Sequence, residues 1–287
     1  MSLDTIDRRD FVALSAAVGL TAAGSATADA ADAQVTSTDV NIKTRDGNCD
    51  AAFFHPATGT HPAVIVWTDI FGLRPVFRDM GKRLAAQGYS VLVPNPFYRT
   101  QKAPLAFGPA NFNFGSNDDR AKLPPLTNPL NAAGAAESDA QAFVAWLDSQ
   151  SSVNKSKKIG TQGYCMGGPL VLRTAAAMPA RIGAVGSFHG GGLVTQAPDS
   201  PHTMIPKMKA QFLIAIAQND DKQQPDAKDV LKKAFADNKL KAEVEVYPAQ
   251  HGWCVPDFNQ PPTPIYNQAE AERAWSNLLK LYKAALV

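Results

Sequence analysis

From residue 35 to the C-terminus, short apolar runs alternate with stretches of helical period. Ala63-Val64-Ile65-Val66-Trp67 is apolar at every position, as a strand covered on both faces would be. Residues 40–43 and 51–55 predict an early hairpin, and 89–93, 158–162, 182–188, 212–217 and 242–247 predict further strands. Between them, 75–86 carries apolar residues at Val76, Phe77, Met80 and Leu84, with Pro75 in the first turn and Gly88 at the stop, so it predicts a helix. Helices are also expected over 136–147, from Pro169 through the alanines that come after it, over 225–238 and over 265–285. Strands alternating with helices imply an α/β fold, a mostly parallel central sheet flanked by helices on both faces. Residues 102–134 break the pattern. They are rich in Pro, Asn, Gly and Phe without clear period, and predict a long excursion over the carboxyl edge of the sheet, a candidate lid.

The first 33 residues read differently. Asp7-Arg8-Arg9-Asp10-Phe11-Val12 precedes a small apolar run from Ala13 to Ala23 and Ala-x-Ala sites between Ala26 and Ala33. This is the pattern of a twin-arginine signal peptide over 1–33, ahead of a folded domain over 34–287, and it predicts use of the twin-arginine export machinery and a periplasmic location in a bacterium. After processing, no segment has the apolar length of a membrane span. A net charge of +2 over 287 residues, from dispersed lysines, gives no basic stripe for nucleic acid.

The densest chemical signal is Gly163-Tyr164-Cys165-Met166-Gly167. It lies between a predicted strand and a predicted helix, which is the setting of a GxSxG nucleophile elbow with sulfur replacing oxygen. Such a turn strains its central residue, and side chains at the flanking glycines would meet neighbouring backbone. The helix start aims partial positive charge at the sulfur. A buried cysteine in a glycine-containing turn is the competing reading of those five residues alone. Residues nearer the C-terminus discriminate between the two. Asp220 and Asp221 come directly after one predicted strand and His251 after the last, giving the order nucleophile, acid, base at three strand ends. Either aspartate could serve as the acid. Cys49, Cys165 and Cys254 make an odd count, compatible with a free thiol and leaving a Cys49–Cys254 bridge open. His55, His61 and His202 adjoin prolines without metal-ligand spacing and read as solvated loop residues; no motif calls for a metal or cofactor.

Over about 35–286 the chain resembles the dienelactone hydrolases, a cysteine-using branch of the α/β-hydrolases. The resemblance rests on Thr68-Asp69-Ile70-Phe71-Gly72-Leu73, Arg83-Leu84-Ala85-Ala86-Gln87-Gly88-Tyr89, residues 94–99, the elbow, Asn219-Asp220 and His251-Gly252. It implies an α/β-hydrolase fold with Cys165 as nucleophile, His251 as base and acid, and Asp220 orienting His251. It places the oxyanion hole at the amides of Ile70 and Met166. It further implies that Asp69, where the family typically has Glu, modulates the thiol, and that Arg99 supplies one of two arginines holding a substrate carboxylate. The second arginine's position, after Cys254, is Val255. His189-Gly190-Gly191-Gly192 mimics a lipase oxyanion motif but comes after the nucleophile, so it predicts a tight turn with His189 against the substrate pocket. The expected function is hydrolysis of a small-molecule ester or lactone, of the dienelactone or carboxymethylenebutenolide kind, through a thioester. A thiol-dependent acyl transferase and an idle binding protein on the same scaffold are the alternatives.

Overall fold

A computed structural model describes residues 34–259 and 264–287; the predicted signal segment lies outside these residues. Eight strands form one sheet in the order β1-β2-β4-β3-β5-β6-β7-β8. They are β1 Val35–Thr44, β2 Gly47–Pro56, β3 Ala63–Trp67, β4 Ser90–Pro94, β5 Ile159–Tyr164, β6 Ile182–Phe188, β7 Gln211–Ala217 and β8 Ala242–Tyr247. The hairpin β1–β2 joins β4 antiparallel and all other pairings are parallel. The helices are α1 Pro75–Ala85, α2 Asn117–Arg120, α3 Pro124–Asn131, α4 Ala135–Ser149, α5 Gly167–Ala177, α6 Gln218–Gln223, α7 Ala227–Asp237 and α8 Gln268–Leu286.

Alternation along the buried strands divides the core into two layers. Ile65 and Trp67 of β3 face Phe143, Leu170, Leu172 and Phe235, whereas Val64 and Val66 face the layer of Phe77, Leu84, Leu278 and Tyr282. The α/β expectation with helices on both faces therefore holds. So do the predicted strands at 63–67, 182–188 and 242–247. The hairpin strands are longer than expected because residues 36–39 of β1, polar and exposed, still pair through their backbone with residues 52–55 of β2.

The short elements α2, α3 and α6 and a 3-10 turn at Pro201–Lys207 are not among the predicted ones. The six-residue helix α6 starts at Gln218, directly after β7, and carries Asp220 and Asp221 in its first turn. Within the excursion, α3 holds two prolines at its start and Pro129 inside it, which hides its period, yet Leu126 and Leu130 are buried. His55 lies on β2 and His202 in a 3-10 turn at Pro201–Lys207, so neither is a loop residue; their ring nitrogens meet the Pro56 carbonyl and the Ser200 hydroxyl, each at 2.7 Å.

The strand order decides where chemistry can gather. From β3 the chain runs through α1 to β4 on one side, then crosses back to β5 on the other side of β3. Connections leaving β3 and β5 thus diverge, opening a crevice at their carboxyl ends. The loop beginning at Thr68 and the Cys165 elbow flank it.

Candidate active site

Gly163 and Gly167 are required sterically. A Cβ on Gly167 would stand 2.5 Å from the Trp67 carbonyl oxygen, and one on Gly163 would collide with the Gly167 carbonyl. With these approaches closed to side chains, Cys165 is held at φ 52°, a left-handed conformation uncommon outside glycine. Its N–H is shared between the Phe188 carbonyl and Nδ1 of His189, each at 3.1 Å. Met166 caps α5, so its amide is among those a helix start leaves without an intrahelical acceptor.

Cys165 opens onto a cavity of about 550 Å³. Cys165, Met166, Asn219 and His251 line it together with Ile70, Phe114, Phe258 and Ile265, and Gly191 and Gly252 complete the wall. Both residues of the expected oxyanion hole, Ile70 and Met166, are therefore at the cavity with the cysteine.

The imidazole of His251 is fixed from behind. Asp220 Oδ2 lies 2.7 Å from its Nδ1, and Asn219 Oδ1 accepts the His251 backbone N–H at 2.7 Å. Asp221 faces the other way, pairing with Lys228 Nζ at 2.8 Å. Of the two aspartates left open by sequence, the structure brings Asp220 to the histidine. Burial works to lower the pKa of His251, but the hydrogen bond to Asp220 and the interaction with Cys165 outweigh it and raise the value to about 10. The ring is thus a cation at neutral pH, beside the sulfur.

Three expectations need correction. Asp69 is fully buried, but its carboxylate takes two hydrogen bonds from Arg74, at 2.6 and 2.9 Å, and the Phe71 N–H at 2.9 Å. A guanidinium five residues away satisfies both oxygens, so the carboxylate braces its own loop rather than the thiol. Arg99 is likewise consumed: it bonds Asp46 and the buried Asp139 at 2.7–2.9 Å and stacks on Tyr98, and it is absent from the cavity wall. His189, at φ 41°, is fully buried behind the nucleophile instead of lining the cavity. Its ring contacts those of His251 and Trp253 at 5.0 and 5.1 Å, and burial followed by the nearby His251 holds its pKa well below the ordinary value. A neutral ring is what Nδ1 needs in order to accept the Cys165 amide.

Cys49 and Cys254 belong to opposite core layers, and all three cysteines are free. Burial raises the Cys254 pKa well above the ordinary value, and its side chain fills space beside a cavity of about 40 Å³ between α1 and α8. It is apolar filling, as the residue type suggests. Among the described residues no cluster of three His, Cys, Asp or Glu side chains could hold a metal ion, and no helix is long and apolar enough to cross a membrane.

Sequence reasoning missed Phe114, Phe258, Ile265 and the Arg74–Asp257 pair. Phe114 belongs to the excursion and packs edge-on to Phe112 and Phe71, which meets Phe258 in turn. The four phenylalanines of 107–114 and 71 were the available signal, since an aromatic-rich stretch without period has to pack against something apolar.

Known proteins resemble this chain in sequence and in fold. The sequence model of the dienelactone hydrolase family matches residues 49–286. A protein of Escherichia coli, provisionally assigned as a carboxymethylenebutenolidase, is 27% identical over 251 residues, covering 85% of each chain. Among solved structures, a provisionally assigned dienelactone hydrolase of Klebsiella pneumoniae superposes with a TM-score of 0.72 at 21% identity, covering 87% of this chain and 99% of that one. A dienelactone hydrolase-like promiscuous phosphotriesterase from metagenomic libraries gives the same TM-score at 21% identity, covering 88% and 99%.

Proposed function

The chain belongs to the dienelactone hydrolase family, and on that premise we propose that it hydrolyses ester or lactone bonds through Cys165, His251 and Asp220. One observation carries this reading: a cysteine in a strained elbow shares a cavity wall with a histidine whose far nitrogen is 2.7 Å from an aspartate.

The reaction runs in two halves. Cys165 reacts as the thiolate, the form in which cysteine is a nucleophile, and protonated His251 stands beside it as general acid. Sulfur attacks the substrate carbonyl, and the oxygen that becomes negative is met by the amides of Ile70 and Met166. As the intermediate collapses the carbon–oxygen bond breaks, and the leaving oxygen takes the proton from Nε2 of His251. Water then attacks the thioester while His251 accepts its proton; the carbon–sulfur bond breaks, the acid leaves, and thiolate and imidazolium are restored. In the first intermediate sulfur competes with oxygen as leaving group, so substrates with stabilised leaving alkoxides or enolates are favoured over amides.

Cys165→Ala is expected to abolish hydrolysis of p-nitrophenyl and enol-lactone substrates, and an electrophilic ester analogue should add to Cys165 by mass spectrometry. Full activity in that variant would sink the assignment. Product analysis with an added alcohol or amine separates hydrolysis from acyl transfer.

We also propose that residues 1–33 direct export through the twin-arginine route, as Arg8-Arg9 and the small apolar run after them support. Fusion of this segment to a folded reporter should deliver it to the periplasm, and replacing both arginines by lysine should stop delivery; equal export by the two fusions contradicts the assignment.

A further inference from the structure

The cavity has a charge character that its surroundings enforce. Ile70, Phe114, Met166, Phe258 and Ile265 make most of its wall apolar, and among the described residues neither lysine nor arginine lines it. The two arginines nearest in function are both neutralised. Arg74 stands behind the rings of Phe71 and Phe258, 5.6 and 6.0 Å from their centroids, and gives two hydrogen bonds to Asp69 and two to Asp257. Arg99 divides its guanidinium between Asp46 and Asp139. Arg74 faces two carboxylates alone, and Arg99 with Arg45 faces two, so neither cluster has positive charge left over. The imidazole of His251 is already matched by Asp220, 2.7 Å from its Nδ1.

Room continues past the chamber. A groove of about 360 Å³, bordered by Asp220, Asp221 and Gln224, shares Gly191 with it. A Cβ built on Gly191 meets nothing within 4 Å, so a side chain there would project into open space where the two hollows adjoin.

We propose that the substrate is an uncharged ester or lactone whose apolar body fills the chamber and whose longer end extends past Gly191 into the groove. This rests on the reading of Cys165 as nucleophile. A carboxylate in the chamber would lose hydration and gain no cation, a penalty that disfavours it; an alkyl body loses nothing and removes apolar wall from water.

Two ratios test it. The first compares kcat/KM for p-nitrophenyl 6-methylheptanoate with that for the p-nitrophenyl monoester of adipic acid, which has the same shape and one negative charge. The neutral ester is expected to be favoured by about 100-fold; equal values, or a preference for the acid, overturn the proposal. The second is the ratio of decanoate to acetate ester, which should fall about tenfold or more in Gly191→Leu and by a smaller step in Gly191→Ala; an unchanged ratio in both overturns the extension past Gly191. Rates equal in wild type and Cys165→Ala would remove the nucleophile assignment itself. Cys165-dependent hydrolysis with a flat charge ratio removes only the present proposal.

Discussion

At the scale of single residues, the site depends on a few groups held where they would not rest by preference. The left-handed backbone of Cys165 costs a non-glycine residue about 1–3 kcal/mol, and the turn that imposes it forms only because glycine at 163 and 167 permits the close backbone approaches. His251 is the group whose ionisation the fold alters most usefully. Its pKa in the folded protein, about 10, lies above the 6.5 of a free histidine. The stability gained from holding the proton is therefore complete below pH 6.5 and is lost as pH rises through about 10. The same proton is needed by the leaving group, so kcat/KM for esters of unactivated alcohols should fall with an apparent pKa near 10. Asp220→Asn removes the strongest contact that raises the value. It is expected to shift that alkaline limb downward and to reduce kcat by about 10²–10⁴; a pH–rate profile identical to wild type would show that Asp220 does not tune the histidine.

Elements carry the next layer of the design. The elbow strand β5 is buried at every residue, and α8 crosses its back: Tyr282 donates its hydroxyl to Gln162 Oε1 at 3.0 Å, and Gln162 in turn donates to Tyr164 at 2.8 Å. Gly160 leaves the space this contact needs, since a Cβ there would lie 2.9 Å from Tyr282 and Leu286. Tyr282→Phe leaves the Gln162 carbonyl buried without its donor. We expect a loss of about 1–3 kcal/mol in urea unfolding with the cavity itself untouched; an unchanged midpoint would show that another group, such as water, replaces the hydroxyl. The short helix α6 has a different task. Gln218 donates to the Ala249 carbonyl, Asn219 receives the His251 amide and Asp220 receives its ring, so three successive residues tie the end of β7 to the loop after β8.

Across the whole molecule, the reactive groups come from loops after β3, β5, β7 and β8, and they meet because the strand order reverses beside β3. Arg74 links the first and last of these loops through Asp69 and Asp257, which are 188 positions apart in the chain by subtraction of their numbers. Its side chain is almost entirely buried, so Arg74→Met strands Asp69 without a counter-charge and should cost about 3–5 kcal/mol. Chemical unfolding measures this directly, and a cost below about 1 kcal/mol would mean that the cluster contributes little to holding the crevice closed.

The sequence by itself determined the alternation of strands and helices, the elbow and the chain order of Cys165, Asp220 and His251. Each of these is a local matter, set by apolar period, by glycine at positions closed to side chains, and by residue type at a strand end. Tertiary structure decided the partners. Asp220 and Asp221 are identical in type and adjacent, and only the direction of α6 turns one to His251 and the other to Lys228. Asp69 and Arg99 carry the right charges for roles at the substrate, but Arg74, Asp46 and Asp139 reach them first. An ion pair is settled by distances in space between residues far apart in the chain, and no local pattern records those distances.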